Sequence, residues 1–435
     1  MNYDNIIEEN INMIKDNTVT ITDLTHTELP LMNCDPQLFN SKIIRLINTS
    51  RFDQTTDHNI KTSHFIYREK TKSRFNDLIN KKIIRVEEII DNPDTFISIM
   101  NTLHCYDISL AIKVGIHFGL FGSNLLRLGN KEQTNKYIKK INDGKIIGCL
   151  AITELSHGSN IKGLNTTVVI DSARRKLIFS TPTMGAAKCW IGNAKDCTHA
   201  IVYAVLNYNN QKILLPFLIR IRIYSMLLDG ITVTEIGSKK GLNGVDNGII
   251  IFNDYETDYD ALLGTFGEIN SDGEYIYQGE KNQLFNQALS SLSGGRGILS
   301  YGALVTSLVT LAITVKYSSK RKQFTENMDY PDKDNKEIPL IKYTTHYLKL
   351  IPLLAKSIFF CDVLNTLKLY SIKEYNNNHK ITKNIHIITS GMKILTSEHA
   401  ENTCNVCRLL CGGHGYSSRN KICSMHNDID IYRTF

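Results

Sequence analysis

The spacing of apolar residues along this chain changes twice, and these changes limit the folds open to it more than any single residue does. Up to about residue 147 apolar residues recur every three or four positions, as in 96–105 and 109–121, which predicts amphipathic helices. From about Gly148 the pattern becomes one of short runs rich in Val, Ile, Leu and Phe, which predicts strands. Long apolar stretches with helical spacing return after about residue 282.

This order of helices, strands and helices predicts an α+β protein with three domains. We place an N-terminal α-helical domain at 1–147, a middle β domain at 148–282 and a C-terminal helical bundle at 283–435. The polar segment 253–282 is predicted to connect the strands to the later helices, and Asn376-Asn-Asn378 is predicted to be a loop. The predicted strands suit a small sheet or barrel and lie at 166–170, 176–179, 199–205, 213–219, 231–235 and 248–252.

The composition is that of a soluble globular protein with a mild excess of positive charge. Of its 435 residues 42% are hydrophobic and 21% charged, and 50 Lys plus Arg against 43 Asp plus Glu give a net charge of +7. This excess favours an anionic ligand but not the concentrated basic face of a nucleic-acid-binding protein. Residues 1–17 mix Asp and Glu with apolar residues, unlike a signal or transit peptide, so we expect the chain to be kept in a reducing compartment.

Ten cysteines in a chain of this length are too sparse for a disulfide framework. The run Cys404-x-x-Cys407-x-x-x-Cys411-x-x-His414 has residue types that suit zinc. Its cysteines fall on one helical face, however, and no second ligand pair with zinc-site spacing follows. A buried helix that runs into a glycine-rich turn is therefore the favoured interpretation, and no metal is predicted.

A membrane span is the alternative to a buried helix at residues 298–315, which carry no charge and are just long enough to cross a bilayer. Their Ser, Thr, Gly and Tyr content favours a helix inside a bundle, as does the long amphipathic helix predicted at 340–369. We therefore predict no membrane span.

Two blocks of the middle domain carry groups that could hold a flat cofactor ring. Thr153 follows a strand-like run and offers a hydroxyl to a ring edge, while Gly158 and Ser159 lie in a turn whose backbone N–H groups can approach a ligand. Trp190 is the single tryptophan, and its ring could stack on another aromatic system. On the residues alone, an ordinary β-turn and a core tryptophan would also explain these blocks.

Four short blocks stand out in order along the chain: Thr153-Glu-Leu-Ser-His-Gly-Ser-Asn160, Cys189-Trp-Ile-Gly-Asn193, Arg321-Lys-Gln-Phe324 and Cys411-Gly-Gly-His-Gly-Tyr416. Together they resemble the acyl-CoA oxidases, a branch of the acyl-CoA dehydrogenase fold. The resemblance covers about Tyr106 to Phe435 and includes the further stretches 107–121, 241–248 and 350–356. It implies an N-terminal α domain, a middle β domain and a C-terminal helical bundle.

The resemblance also implies non-covalent FAD, a fatty acyl-CoA substrate, O2 as electron acceptor, a homodimer and a peroxisomal location. In the family, a carboxylate removes the α-proton of the acyl-CoA while hydride passes to the flavin, giving trans-2-enoyl-CoA. Oxygen then reoxidises the flavin and yields H2O2. Two alternatives remain open from the sequence: an acyl-CoA dehydrogenase with another electron acceptor, and a non-catalytic acyl-CoA or FAD-binding relative.

Matched residue by residue, the resemblance assigns roles to two sets of positions. Arg296 and Asn243 are the expected substrate-binding residues, with Arg296 reaching the CoA moiety. Arg296 and Arg321 are 25 residues apart, about 37 Å on one helix, so they cannot serve one small group together. The expected cofactor-binding residues are Thr153, Gly158, Ser159, Trp190 and Gly192 around the flavin ring, and Arg321, Phe324, Gly412 and Gly413, which contact the FAD of the partner subunit.

The segment Asp428-Ile-Asp-Ile-Tyr-Arg-Thr-Phe435 ends one residue before the family's Glu-Gly pair, whose Glu is the general base. None of the nearby acids occupies this motif position, so we expect no catalytic base within the chain and a slow reaction. Asp428 and Asp430 are predicted to lie on the helix that leads to it. We also expect a chain that is truncated or split, without the family's second helical domain and without a C-terminal peroxisomal tripeptide; apart from the family, the expected location is cytoplasmic.

Overall fold

The computed structural model describes residues 39–47, 63–277, 281–325, 336–378, 382–417 and 420–435, with the side chains of all but Ile47, 281–293 and 374–378. The part of the predicted helical region before residue 39 lies outside this description. Along the described residues helices come first, then strands, then helices. The predicted α+β fold class is confirmed.

The first helices begin at polar side chains that cap them. Asn92 accepts a hydrogen bond from the backbone N–H of Thr95, Asp107 caps the next helix, and Asn130 with Gln133 forms a reciprocal capping box. The helices in the described part of this region are α1 (Ser41–Ile47), α2 (His64–Asn80), α3 (Glu88–Asp91), α4 (Pro93–Tyr106), α5 (Ile108–Val114), a π-helix (Gly115–Gly122), α6 (Ser123–Leu128) and α7 (Lys131–Asn142).

The strands of the middle region form two main sheets. The larger sheet has the order β1-β5-β2-β3-β11, with β6 on the other side of β5, and its β1–β5 and β2–β5 pairs are parallel. The smaller sheet is antiparallel, in the order β4-β10-β9. The strands are β1 (Gly148–Ala151), β2 (Thr167–Asp171), β3 (Lys176–Ser180), β4 (Lys188–Gly192), β5 (His199–Tyr208), β6 (Gln211–Arg220), β7 (Arg222–Ile223), β8 (Met226–Leu227), β9 (Ile231–Glu235), β10 (Asn247–Phe252), β11 (Tyr255–Thr257), β12 (Glu268–Ile269) and β13 (Tyr275–Ile276).

All six predicted strands are present, with ends that differ by at most a few residues. The long β5–β6 hairpin turns at Asn209 and Asn210, which both have positive φ, as a two-residue hairpin turn requires. The prediction for 253–282 was wrong in part: this segment is not only a connector, because β11 pairs with β3 and two further strands pair with each other.

The described part of the C-terminal region is mainly helical. Its long helices are α8 (Lys281–Lys320), α9 (Thr344–Asn378) and α10 (Lys383–Leu410), and two shorter helices follow, α11 (Gly412–Tyr416) and α12 (Lys421–Asp430). The loop predicted at Asn376-Asn-Asn378 was wrong, because α9 continues to Asn378. The prediction that Asp428 and Asp430 share a helix is confirmed, and a 3₁₀ turn at Ile431–Arg433 follows that helix.

Three helical stretches of the described residues are long and apolar enough to cross a membrane, judged by length and composition. They are Ile108–Leu128, Gly294–Lys320 and Thr344–Lys373, whose most apolar windows are 72%, 78% and 39% buried within the protein. Burial against other elements accounts for the apolar character of the first two. The third exposes Leu348, Ile351, Phe359 and Leu369.

Candidate functional site

Thr153 and the strand that carries Trp190 are joined by two hydrogen bonds. The Thr153 hydroxyl donates to the carbonyl oxygen of Cys189 (2.6 Å), and the Cys189 N–H donates to the Thr153 carbonyl oxygen (2.9 Å). The next residues continue this pairing, since the N–H of Leu155 donates to the carbonyl oxygen of Ala187. The tertiary structure thus brings together two of the blocks that the sequence predicted to serve one cofactor ring.

A buried ion pair lies directly beneath this junction. Lys188 Nζ is 3.1 Å from Glu154 Oε1, with both side chains fully buried, and it also donates to the carbonyl oxygen of Ile152. Burial lowers the pKa of Lys188 to about 8, although Glu154 opposes the shift. Burial alone would raise the pKa of Glu154, but Lys188 and hydrogen bonds from Thr166 and Asn165 lower it. The pair therefore stays ionised and anchors the start of β4.

Trp190 adopts a backbone conformation that is rare for a large side chain. Its φ is +64°, and its side chain is 60% exposed although it lies within a strand. A non-glycine residue in this left-handed region costs about 1–3 kcal/mol and persists only where the surroundings impose it. The alternative of a core tryptophan is wrong, and the exposed indole is available to stack on a planar ligand.

The glycines of these two blocks differ in what they contact. A Cβ on Gly192 would collide with Ile116 of the π-helix, so packing against the protein already accounts for this glycine. Gly158 and Ser159 are exposed, and a Cβ on Gly158 would meet no other atom within 4 Å. The space around Gly158 is therefore open to a ligand. We name Thr153, Gly158, Ser159, Trp190 and Gly192 the ring group.

Arg321 and Phe324 lie near Gly412 and Gly413, where α8 and α10 end. The ring of Tyr317, in the last turn of α8, is 5.7 Å from that of His414, which follows Gly413 directly. Phe324 is 64% exposed and has φ +57°. Gly412, which directly follows the C-cap residue of α10, has φ +58°. We name Arg321, Phe324, Gly412 and Gly413 the helix-end group. Within the described residues, no hydrogen bond or ring contact that we find connects it to the ring group.

Arg296 lies in a basic cluster next to the end of the chain. Its Nη1 donates to Nδ1 of His386 (3.0 Å). Burial is the main reason why the pKa of Lys393 is lowered, and the positive charge of Arg296 adds to this shift. Lys393 in turn donates a hydrogen bond to the carbonyl oxygen of Phe435. His386 and Lys393 were not among the predicted residues. Their spacing of seven, two turns of α10, was the signal in the sequence that could have identified them.

Phe435 packs against a buried pair that joins the first and last helical regions. Its ring is 5.7 Å from that of Tyr432, whose hydroxyl lies 2.7 Å from Nε2 of His104. His104 Nδ1 is 2.6 Å from the carbonyl oxygen of Met100, and burial lowers the pKa of His104 to about 4. A carbonyl can only accept, so Nδ1 of the neutral ring carries the proton and the Tyr432 hydroxyl donates to Nε2.

Asn243 lines a cavity of about 290 Å³ that is formed by α2, the α4–α5 junction, the loop before β10 and α12. Its side-chain amide bonds to the backbone N–H and carbonyl of Lys239, so it braces its own loop. Asp428 also lines the cavity and accepts a hydrogen bond from the N–H of Leu242 (2.6 Å). Burial raises the pKa of Asp428 to about 7, and the negative charge of Asp107 adds to this shift.

Asp430, on the same helix as Asp428, is held in ion pairs. Lys240 Nζ is 2.8 Å from its Oδ2, and Arg433 binds its other oxygen. Hydrogen bonding to Lys240 is the main reason why the pKa of Asp430 is lowered. A carboxylate with two cationic partners is a poor proton acceptor, so Asp430 does not fit the role of a general base.

The cysteines of the run 404–411 are buried. Thr310 contacts Cys404 (3.4 Å between Oγ1 and Sγ), and Cys411 donates to Thr314. Burial raises the pKa of Cys404 and Cys407 to about 12. These groups are therefore protonated thiols in this structure. No group of three possible metal ligands is found in the described part of the chain.

Two family models match this chain in sequence. Residues 289–435 match the acyl-CoA oxidase C-alpha1 domain, and residues 149–255 match the acyl-CoA dehydrogenase middle domain. Acyl-coenzyme A oxidase 2, peroxisomal, of Arabidopsis thaliana is 32% identical over 389 residues, which are 86% of this chain and 55% of that protein. Peroxisomal acyl-coenzyme A oxidase 3 of Homo sapiens is 33% identical over 384 residues, 85% and 54% of the two chains.

Solved structures agree with this assignment. Arabidopsis thaliana acyl-CoA oxidase 1 superposes with a TM-score of 0.75 at 26% identity, over 97% of this chain and 62% of that one. Acyl-CoA oxidase-2 of Caenorhabditis elegans, bound with FAD, ascaroside-CoA and ATP, gives 0.69 at 25% identity, over 97% and 59%. The chain spans about half the length of the curated relatives it matches. It belongs to the acyl-CoA oxidase family, an oxidoreductase family.

Proposed function

We propose that this chain binds FAD and fatty acyl-CoA and takes part in the acyl-CoA oxidase reaction of fatty acid β-oxidation. The observation that carries the proposal is the exposed Trp190 ring, held on a left-handed backbone beside Thr153. Strain of this kind concentrates at ligand sites, and a planar aromatic ligand gives the exposed indole a partner. The domains proposed from the sequence, 1–147, 148–282 and 283–435, would place this ring in the middle domain.

The ring group offers polar and aromatic groups of the kinds that an isoalloxazine ring would use. Trp190 offers a stacking face, and the Thr153 hydroxyl, which donates a hydrogen bond to the Cys189 carbonyl oxygen, keeps its oxygen lone pairs as acceptors for a ring N–H. The exposed Gly158 leaves open space around its own position. When bound, FAD supplies the acceptor for the β-hydrogen of the acyl-CoA and passes the electrons to O2, giving H2O2.

The basic cluster around Arg296 suits the anionic CoA moiety. Arg296, His386 and Lys393 bring donors together on α8 and α10, and a guanidinium can hold a phosphate with two parallel hydrogen bonds. Lys393 also donates to the Phe435 carbonyl oxygen, which places this cluster beside the residue that precedes the family's base position. A base at that position would remove the α-proton on the way to trans-2-enoyl-CoA. Asn243 would contribute by keeping its loop in shape beside the substrate.

We propose that a complete flavin site needs two copies of this chain. The helix-end group would hold the FAD of the partner subunit, since Arg321 suits a pyrophosphate and the exposed Phe324 suits the adenine. The exposed apolar residues of α9, such as Leu348 and Phe359, provide a surface that an interface could cover. The peroxisomal names of the relatives support a peroxisomal location for the homodimer.

Uptake of FAD tests the proposal directly. The purified protein should bind FAD, turn yellow and release the flavin on acid precipitation, and palmitoyl-CoA should perturb the flavin absorbance. Trp190→Ala should weaken FAD binding about tenfold, and Trp190→Phe, which keeps a stacking face, should weaken it less. A folded protein that takes up no FAD would contradict the proposed function.

Mixing two variants tests the shared site. If the helix-end group serves the partner's flavin, a mixed dimer of Trp190→Ala and Arg321→Ala chains contains one intact site and one doubly altered site. FAD binding should therefore return on mixing, whereas each variant alone binds weakly. If both groups serve the same subunit, mixing restores nothing. Light scattering with and without FAD supplies the mass of the species that binds.

A further inference from the structure

Lys113 is a buried cation at the centre of a charged cluster. Its side chain is 2% exposed on α5, and its Nζ lies 3.0 Å from Asp196 Oδ2, 3.2 Å from Asn193 Oδ1 and 3.5 Å from Asp246 Oδ1. A buried ammonium is retained only where partners replace its water. The partners of Lys113 lie in the turn that follows β4 and in the loop that precedes β10.

Asn193 transmits this restraint to β4. Its φ is +63°, its N–H donates to the carbonyl oxygen of Asp246 (3.1 Å), and its side-chain Nδ2 donates to the carbonyl oxygen of Gly148 (3.3 Å). The Asn193 carbonyl oxygen accepts from the N–H of Cys197 (2.7 Å). Asn193 follows Trp190 by three residues, and both have left-handed backbones.

The turn is held from a second side by Arg222. Its Nη1 donates to the carbonyl oxygens of Ala194 (2.9 Å) and Cys197 (2.7 Å). The start of β4 is anchored separately by the buried Lys188. Trp190 therefore lies between two buried lysines, one fixing each end of its strand.

We propose that Lys113 is a positioning residue which, through Asn193 and Asp246, holds the Trp190 ring where a flavin can stack on it. Lys113 does not touch the ring, so it acts by fixing the backbone at the end of β4. The benefit of this role for flavin binding rests on the proposed function. The position of the ring can be measured independently, because Trp190 is the only tryptophan and its fluorescence reports the surroundings of its own side chain.

Lys72 provides a matched control within the same cluster. Its Nζ lies 2.8 Å from the other oxygen of Asp196, but its side chain is 42% exposed. Within the contacts of the described residues, it bonds to neither Asn193 nor Asp246. Lys72→Met thus removes a positive charge and an Asp196 partner, as Lys113→Met does, without removing the anchor of β4.

The experiment measures Trp190 emission and its quenching by acrylamide in the flavin-free protein, and then the Kd for FAD. In Lys113→Met the emission maximum and the quenching constant should shift, and the Kd for FAD should rise about tenfold, as expected for loss of a hydrogen bond to a charged group. Lys113→Arg should keep part of the native emission and quenching and part of the native affinity for FAD. Lys72→Met should change none of these.

Asn193→Gly provides a second variant, in case Lys113→Met does not fold. Glycine tolerates the left-handed backbone, so this change removes the anchoring amide with little added strain. It should shift Trp190 emission in the same direction. If folded Lys113→Met or Asn193→Gly keeps native emission and quenching, the positioning role is wrong. If emission shifts in the variants but neither they nor the native protein bind FAD, the positioning role of Lys113 stands and the proposed function fails.

Discussion

The hydroxyl of Thr153 donates a 2.6 Å hydrogen bond to the carbonyl oxygen of Cys189, the residue before Trp190. This bond ties the segment directly after β1 to β4, and β1 and β4 belong to different sheets. It also sets the direction of the Thr153 proton. The oxygen lone pairs of Thr153 therefore remain available as acceptors.

Replacing Thr153 with valine should weaken FAD binding and slightly destabilise the protein. Valine keeps the shape but leaves the Cys189 carbonyl without its side-chain donor, which typically costs about 1 kcal/mol of unfolding free energy. Urea unfolding and FAD titration measure the two effects. Thr153→Ser retains the hydroxyl and should behave like the native protein; equal loss in both variants would argue against the hydrogen bond.

Removing the charge of Lys188 should strongly destabilise the protein. In Lys188→Met, Glu154 remains fully buried without its cationic partner, and breaking a buried pair from one side typically costs about 3–5 kcal/mol. The control is Lys176→Met, which removes the exposed partner of Asp258 and should cost at most about 1 kcal/mol. Similar urea midpoints for the two variants would show that the Lys188–Glu154 pair contributes little.

Two glycines of the segment 411–416 should respond differently to alanine. A Cβ on Gly415 would overlap the backbone carbonyl of Arg408, so Gly415→Ala should cost about 1–3 kcal/mol of unfolding free energy. Gly413 has no neighbour within 4 Å of a Cβ, so Gly413→Ala should leave stability nearly unchanged. Weaker FAD binding by Gly413→Ala, without loss of stability, would support its proposed contact with a partner's cofactor; unchanged binding would count against that contact.

Asp428→Asn should become more stable relative to the native protein as the pH rises from about 4 to about 7. Burial raises the pKa of Asp428 from its ordinary 3.8 to about 7, so between these values the folded protein holds a proton that the unfolded chain releases. The unfolded chain binds fewer protons, and stability from this group therefore falls as pH rises from about 4 to about 7. Asparagine has no such proton and can still accept from the Leu242 N–H.

His104 illustrates why a difference between variants is measured. Burial lowers the pKa of His104 to about 4, so its contribution to stability is present above its ordinary pKa of 6.5 and is lost as pH falls towards 4. This trend is opposite to that of Asp428, but it is common to both proteins and cancels in the difference. A difference between Asp428→Asn and native that stays constant from pH 4 to pH 8 would contradict the raised pKa.

The fold order and the six main strands could be read from the sequence because they depend on local patterns. Apolar periodicity decides between helix and strand, and the Asn209-Asn210 pair selects a tight hairpin between β5 and β6. The loop predicted at residues 376–378 was wrong because local composition is only a weak guide where a long helix continues. The motif blocks likewise identified the family, since their order and spacing are properties of the chain alone.

The sequence by itself thus determined the order of helices and strands, the family and the candidate residues, but not how those residues meet. The exposure of Trp190, the Thr153–Cys189 bond and the buried anchors Lys113 and Lys188 were decided only by the tertiary structure. Lys113 is 80 residues from Asn193 in the chain, and their contact depends on a helix packing against a distant turn. The cost of burying a charge is set by those distant partners, and no local pattern in the sequence records them.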